Sequence, residues 1–363
     1  MEITYGNPFR QYQSLQSEIN DVIQDCINRS AFIGGYYHNK FEEQMAAYHN
    51  KSCALVASGT AAQQLSLLAC GIGPGDEVIV PSMTFFSTAE TVSQVGATPV
   101  FCDINLTDYC IDIQHLESLI TANTKAIMPV DLYGQQCDYH NLRQLCNFYN
   151  LFLIQDSAQS FGSKYHDQKV GASADLAIHS FYPGKNLDCM GDAGAVTGDE
   201  KLVDRIKYLR NHCRSSESKY THYGIGWNHR CDGIQAAILS VKINYIDQFN
   251  EQRRINAEFY NNKLRDLDIV LPKANTHNLH VYNQYAILHK DRQMIADFLL
   301  QKGIHTGMQF PLGCHQQPAY YSSTANLPVS EHVAAQCLSL PVWPGMTETE
   351  LDYVSTSLSE YFE

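Results

Sequence analysis

Short apolar runs alternate with amphipathic stretches between about residues 50 and 200. The runs predict strands at Cys53–Ala57, Glu77–Val80, Thr98–Cys102, Ala126–Val130, Leu151–Gln155, Leu176–Ser180 and Ala193–Thr197. Between them, 3.6-residue periodicity predicts helices such as Thr60–Cys70, Asp112–Ile120 and Tyr139–Tyr149. Strands alternating with helices are the pattern of an α/β domain with a mostly parallel sheet. Upstream, Tyr12, Leu15, Ile19, Val22 and Cys26 fall on one helical face. Downstream, Ile234, Ile238, Val241, Tyr245 and Phe249 predict one long helix over Asp232–Leu264. The remainder reads as mixed strands and helices, with helices expected over Ile287–Gly303 and Thr347–Tyr361. A larger domain over 1–245 and a smaller C-terminal α/β domain over 246–363 are therefore expected.

Charge narrows the partners. Lys+Arg total 25 against Asp+Glu 38, a formal net charge of −13. A general nucleic-acid or membrane-surface binder needs a basic face, so neither partner is expected. A local site for an anionic small ligand remains open. The chain shows neither a signal-peptide apolar core nor a stretch approaching the ~18 apolar residues of a membrane span. Of the 12 cysteines, Cys53, Cys70, Cys102 and Cys146 sit in apolar runs and none forms C-x-x-C. They read as reduced, buried hydrophobes of a cytoplasmic protein.

Three elements carry chemistry. Ser58-Gly59-Thr60 follows a strand and opens a helix, which suits either a plain N-cap or a phosphate site. Asp156 closes the Leu151–Gln155 strand, where open α/β sheets bind ligands. It could equally be a helix cap. Lys185 lies in the turn Ser180-Phe181-Tyr182-Pro183-Gly184-Lys185-Asn186, ahead of Gly191-Asp192-Ala193-Gly194. Taken singly it could be a solvated turn lysine. Together, a phosphate cradle, a strand-end acid and a turn lysine are the parts that pyridoxal 5'-phosphate requires.

From about Phe32 to Trp343 the sequence resembles the DegT/DnrJ/StrS-type nucleotide-sugar aminotransferases. The matching stretches include Ala57–Ala62, Gly71–Pro81, Ala97–Asp103, Lys125–Gln135, Gln155–Gly162, Ser180–Asn186, Gly191–Val196 and Gly226–Arg230. The resemblance implies fold type I of the pyridoxal-phosphate enzymes, with a seven-stranded, mostly parallel sheet. It implies that Lys185 is the Schiff-base lysine and proton shuttle. Asp156 would pair with the pyridine nitrogen, and Gln159 would contact the ring oxygen. Gly59, Thr60 and Ser180 would hold the phosphate, and Phe85 would stack on the ring. Asn228 would reach the phosphate of a neighbouring subunit, which implies a homodimer with shared active sites. Tyr182 and His315 would face the substrate. Phe85 as ordinary core, Gln159 as a loop amide and Tyr182 as a structural tyrosine remain open on the residues alone.

The implied reaction moves an amino group from L-glutamate to a keto sugar carried on a nucleotide. Phe181–Leu187 followed by Gly191-Asp192-Ala193-Gly194 looks like the members that aminate C3. A dTDP-linked 3-keto-6-deoxyhexose is the leading substrate, and a UDP-linked 3-keto-N-acetyl sugar is the alternative. A 4-keto sugar aminotransferase and a non-catalytic cofactor-binding regulator stand further back. Dehydratases of the family carry His at the lysine position, so Lys185 argues against that activity. Several positions depart from the pattern. Asp131 stands where the family usually has His, Gln309-Phe310-Pro311 where many members read His-Tyr-Pro, and Asp188-Cys189 where a small pair is usual. His277-x-x-His280 has a metal-like spacing but no third ligand nearby, and no metal site is expected. Lys207, Arg210 and Arg214 form a small basic patch, read as a solvated helix end or a contact for the nucleotide diphosphate.

Overall fold

A computed structural model describes every residue except Tyr321 and Ser322. Twelve strands are present among the described residues. They are β1 (Ser52–Val56), β2 (Glu77–Pro81), β3 (Thr98–Cys102), β4 (Thr124–Ile127), β5 (Phe152–Asp156), β6 (Lys164–Tyr165), β7 (Gln168–Lys169), β8 (Leu176–Ser180), β9 (Gly194–Gly198), β10 (Asn278–Leu279), β11 (Tyr285–Leu288) and β12 (Cys337–Leu340). Seven of them form the main sheet in the order β1-β9-β8-β5-β4-β2-β3. Only β9 runs antiparallel to its neighbours. The expected α/β fold with a seven-stranded, mostly parallel sheet is what the chain forms.

Strand side chains alternate between two apolar layers, because successive residues point to opposite faces. On β1, Ala54 and Val56 pack beneath the Gly59–Ala69 helix, together with Val203 and Ile206. Cys53 and Leu55 pack on the other face with Phe41, Met45, Ala236 and Leu239. Burial on both faces explains why the strands read as continuous apolar runs. Six parallel strands then end at one edge of the sheet. Their C-terminal loops carry Ser58, Thr84, Asp156 and Lys185 to a common cleft.

The strand boundaries lie within two or three residues of the periodicity, with β4 shifted furthest, to Thr124–Ile127. Two helical expectations need correction. Asp232–Leu264 is not one helix: helices Gly233–Lys242 and Ile246–Leu264 are joined by a 3-10 turn, Ile243–Tyr245. There the Asn244 side chain donates to the Ser240 carbonyl (3.2 Å), competing with the helical backbone bond. Ile287 is not helical but central in β11, paired with Leu338 of β12. The following helix is Arg292–Gln301. A helix over Tyr36–His49, absent from the sequence reading, covers the β1 face.

The C-terminal part has its own apolar cluster, including Tyr260, Tyr285, Leu299, Leu340, Trp343 and Leu358. Ile3 belongs to that cluster and bridges Ile304. Trp343 donates from its indole nitrogen to the Thr4 carbonyl (3.1 Å), and Arg10 pairs with Glu350 (2.8 Å). The chain therefore begins against its own C-terminal third. No described helix is long and apolar enough to cross a membrane.

Candidate active site

The cleft has a volume of about 780 Å³. Its floor comes from the C-terminal edge of the sheet. One further wall comes from the N-terminal segment Tyr5–Pro8 together with Arg253, Asn283, Gln284, Gln309 and Trp343.

Lys185 is placed by a tight turn. Its backbone N–H donates to the Tyr182 carbonyl (3.0 Å), and Gly184 sits at φ +99°. Pro183-Gly184 at the two central positions is the signature of a type II turn, which needs a residue free to take positive φ. The turn is held from behind. Asp188 accepts from the Gly184 N–H (3.0 Å) and forms a buried ion pair with Lys242. Asn186 donates to Asn250 (2.7 Å) and Val281 O (2.9 Å), and receives a hydrogen bond from Asn283 (2.9 Å). Burial brings the Lys185 amine down to about 8, and the charge of Asp156 pulls in the opposite direction. An amine tuned this way has a substantial neutral, nucleophilic fraction near neutral pH.

Asp156, the last residue of β5, is buried. Its Oδ2 accepts from Gln63 Nε2 (2.7 Å) and Thr88 Oγ1 (3.3 Å), and its Oδ1 from the Ala158 N–H (3.1 Å). Burial raises its pKa, against those donors and the Lys185 charge. Gln63 and Thr88 lie on different helices, and no sequence signal marked them.

The anion cradle is the start of the Gly59–Ala69 helix. Ser58 caps it, accepting from the Ala61 N–H (3.0 Å), and the first helical bond runs from Ala62 to Ser58 O. The N–H groups of Gly59 and Thr60 precede that bond and lie at the positive end of the helix. A Cβ at Gly59 would stand 2.8 Å from Ser180 Cβ, so only glycine fits against Ser180. Gly59, Thr60, Ser180, Asp156, Gln159, Lys185, Phe85 and Tyr182 all line the one cleft. Gln159 is oriented by the Tyr133 N–H, which donates to its Oε1 (2.8 Å). Phe85 is not core: it and Tyr182 are exposed at the mouth, 59% and 58%.

Two residues singled out in the sequence lie apart from this chain's cleft lining. His315 is buried outside the cleft lining, with Nδ1 2.5 Å from Ser82 Oγ and Nε2 3.1 Å from Glu331. Both ring nitrogens are engaged by these partners. Asn228 is exposed on a loop bridged to Asn211 and does not line this chain's cleft. Among the departures, Asp131 is buried and accepts from Gln155 (2.7 Å), Ser160 (2.7 Å), Tyr139 (2.8 Å) and the Cys137 N–H (3.2 Å). Burial raises its pKa to about 6. His277 stacks on His166 and His280 on Tyr282, so the two rings have separate partners. Arg210 pairs with Glu42 and is not a free cation.

The residues fit pyridoxal phosphate. A part-neutral amine and a buried carboxylate line one cleft with a helix start whose first N–H groups are free and whose Gly59 leaves no room for a side chain against Ser180. A parallel sheet with this set at its C-terminal edge defines a pyridoxal-phosphate-dependent aminotransferase of fold type I. The chain belongs to the DegT/DnrJ/EryC1/StrS aminotransferase family, whose sequence profile matches residues 13–359. It is 38% identical to a pleiotropic regulatory protein of Geobacillus stearothermophilus, covering 97% of this chain and 96% of that one. It is also 38% identical to the UDP-N-acetyl-3-dehydro-alpha-D-glucosamine 3-aminotransferase of Acidithiobacillus ferrooxidans (95% and 94%). The dTDP-3-amino-3,6-dideoxy-alpha-D-galactopyranose transaminase of Aneurinibacillus thermoaerophilus is 37% identical (98% and 99%). Among solved structures, S. venezuelae DesV in complex with a ketimine intermediate superposes with a TM-score of 0.96 at 35% identity, covering 100% and 99%.

Proposed function

We propose that this aminotransferase transfers an amino group from L-glutamate to the C3 keto group of a dTDP-linked 3-keto-6-deoxyhexose. The observation that carries the reaction is the pairing in one cleft of the Lys185 amine with the buried Asp156 carboxylate. Pyridoxal phosphate, when bound, supplies an electron sink for the charge that develops at the amino-donor carbon. Gly59, Thr60 and Ser180 would hold its phosphate. Asp156, fixed by Gln63 and Ala158, would offer its carboxylate to the ring nitrogen and favour its protonated form. Lys185 Nζ would act as the base that takes and returns the proton at the donor carbon. Phe85 would stack on the cofactor ring, and Tyr182, at the mouth, would contact the sugar.

The dTDP sugar is favoured by the relatives that aminate C3 of dTDP sugars, at 36–37% identity. A UDP-linked 3-keto-N-acetyl sugar is the second reading, favoured by the relative named for that substrate at 38%. A relative named GDP-perosamine synthase stands lower, at 32%. The test is a panel of dTDP- and UDP-linked 3-keto and 4-keto sugars with L-glutamate, the amine position being read by NMR. Turnover of a 4-keto sugar in preference would overturn the C3 assignment, and a UDP preference only the nucleotide.

We also propose a homodimer in which Asn228 serves the partner's phosphate site. Its loop exposes Tyr220, Tyr223 and Ile225, and Phe32, Ile33 and Tyr36 are exposed as well. A cytoplasmic location suits the free cysteines, eleven of which are buried. We further propose a large domain over 1–245 and a small domain over 246–363, a division supported by the interruption of the helix at the 3-10 turn Ile243–Tyr245.

A further inference from the structure

Asp131 is fully buried, yet it lies outside the cleft lining. A carboxylate taken that far from water is costly unless it is hydrogen-bonded throughout. Asp131 meets that need with four donors, and their places in the chain are what give it a role. Its Oδ2 accepts from Gln155 Nε2 (2.7 Å) and from Ser160 Oγ (2.7 Å). Gln155 immediately precedes Asp156, and Ser160 immediately follows Gln159. One oxygen thus pins both ends of the short segment Asp156–Gln159, which carries two side chains that line the cleft.

The backbone around Asp131 reinforces the same frame. Its N–H donates to Asp156 O (3.0 Å), and the Asp156 N–H donates to Pro129 O (2.9 Å). Two residues on, the Tyr133 N–H donates to Gln159 Oε1 (2.8 Å). That bond commits the amide oxygen and leaves the NH2 end as the group that can donate elsewhere. Tyr133 makes it from a left-handed conformation, at φ +61°, which a residue with a side chain keeps only where its surroundings fix it. Asp131 Oδ1 supplies that fixing. It accepts from the Cys137 N–H (3.2 Å) and the Tyr139 hydroxyl (2.8 Å), closing the loop on its far side.

We infer that Asp131 is a positioning residue whose carboxylate holds Asp156 and Gln159 in one frame toward the cofactor. This rests on the cofactor-facing roles proposed above for those two side chains. The position needs a carboxylate and not merely a polar group of that size. Asp131→Asn puts an NH2 where one oxygen stood, so that donors face donors. A histidine offers at most one acceptor nitrogen and could not serve the four donors either.

The test reads the surroundings of the cofactor separately from stability. In the loaded enzyme, the pH midpoint of the visible band reports the charge and hydrogen bonds that the ring receives. A slack Asp156 favours the protonated ring nitrogen less, and a slack Gln159 donates less to the ring oxygen. Either loss leaves the cofactor more basic. Asp131→Asn should therefore raise the midpoint by about one pH unit. It should also weaken binding of pyridoxal phosphate to the apoenzyme by about tenfold. Ser160→Ala frees one end of the segment only. It should shift the midpoint about half as far, and it serves where the Asn variant does not fold. Asp103→Asn is the control. Asp103 is also buried and accepts from the Ser330 N–H (2.7 Å), Ser330 Oγ (2.6 Å) and the Val329 N–H (3.0 Å), but it lies outside the cleft lining. That variant should unfold at lower urea and keep the wild-type midpoint. An unshifted midpoint in the variants of Asp131 and Ser160 that fold would overturn the inference, and so would an equal shift in Asp103→Asn. Asp156→Asn sets the scale. A midpoint unmoved there would overturn the role of Asp156 itself, and this inference with it, whereas a shift there and none in Asp131→Asn would overturn the inference alone.

Discussion

Asp188 accepts a hydrogen bond from the backbone of Gly184 (3.0 Å), the residue before Lys185, while the same carboxylate pairs with buried Lys242. The reactive turn is thereby tied to the helix Gly233–Lys242. Asp188→Ala leaves a buried ammonium without a counter-charge, so it should destabilise the protein by about 3–5 kcal/mol. Urea unfolding measures this, and a loss under ~1 kcal/mol would show that the pair is not structural.

Lys185→Ala removes the amine without disturbing the turn, because the turn bond is made by the backbone. The variant should fold normally and yet take no covalent cofactor. Borohydride reduction and peptide mapping of the wild type should place the adduct on Lys185. An adduct on another lysine would refute the assignment.

Loading of apoenzyme with pyridoxal phosphate should be pH-dependent. The neutral amine is the nucleophile, and the Lys185 pKa is lowered to about 8. Below that value the neutral fraction falls about tenfold per pH unit, and above it levels off. The rate of appearance of the visible band against pH checks this, and a midpoint near the ordinary lysine value of ~10.4 would contradict it.

Asp156→Asn keeps the shape of the side chain and removes its charge. It should bind cofactor but lose ~3 kcal/mol in the chemical step, about two orders of magnitude in kcat. Gln63→Leu, which strips one donor from Asp156 Oδ2, should have a smaller effect in the same direction. Near-normal turnover of the Asn variant would mean that the acid acts elsewhere.

Chains carrying Lys185→Ala and Asn228→Asp, each poorly active alone, should regain activity as heterodimers. Both lesions then share one site, and the other site is intact. Failure to complement in isolated heterodimers would place Asn228 in its own subunit's site.

The sequence by itself determined the sheet and which strand ends meet at the candidate cleft. β3 and β8 match the apolar runs at Thr98–Cys102 and Leu176–Ser180 residue for residue, because burial on both faces leaves an uninterrupted local signal. Ser58-Gly59-Thr60, Asp156 and Lys185 were legible because each lies at or within five residues of a strand's C-terminal end, so the strand places it. What tertiary structure decided is everything that converges from a distance. Gln63 and Thr88 reach Asp156 from helices 93 and 68 residues away in sequence, and Asp188 meets Lys242 across 54. The Asp232–Leu264 periodicity could not reveal its break, since the apolar face continues in phase across Asn244 while a side chain competes for one carbonyl. The surroundings of His315 were hidden for a related reason. Its position near a substrate loop is local, but its direction is fixed by Ser82 and Glu331, which only the packed chain brings to its two nitrogens. The same holds for Arg253. A helical arginine usually faces water, and only the docking of Tyr282, Asn283 and Val342 around it turns that cation into the cleft.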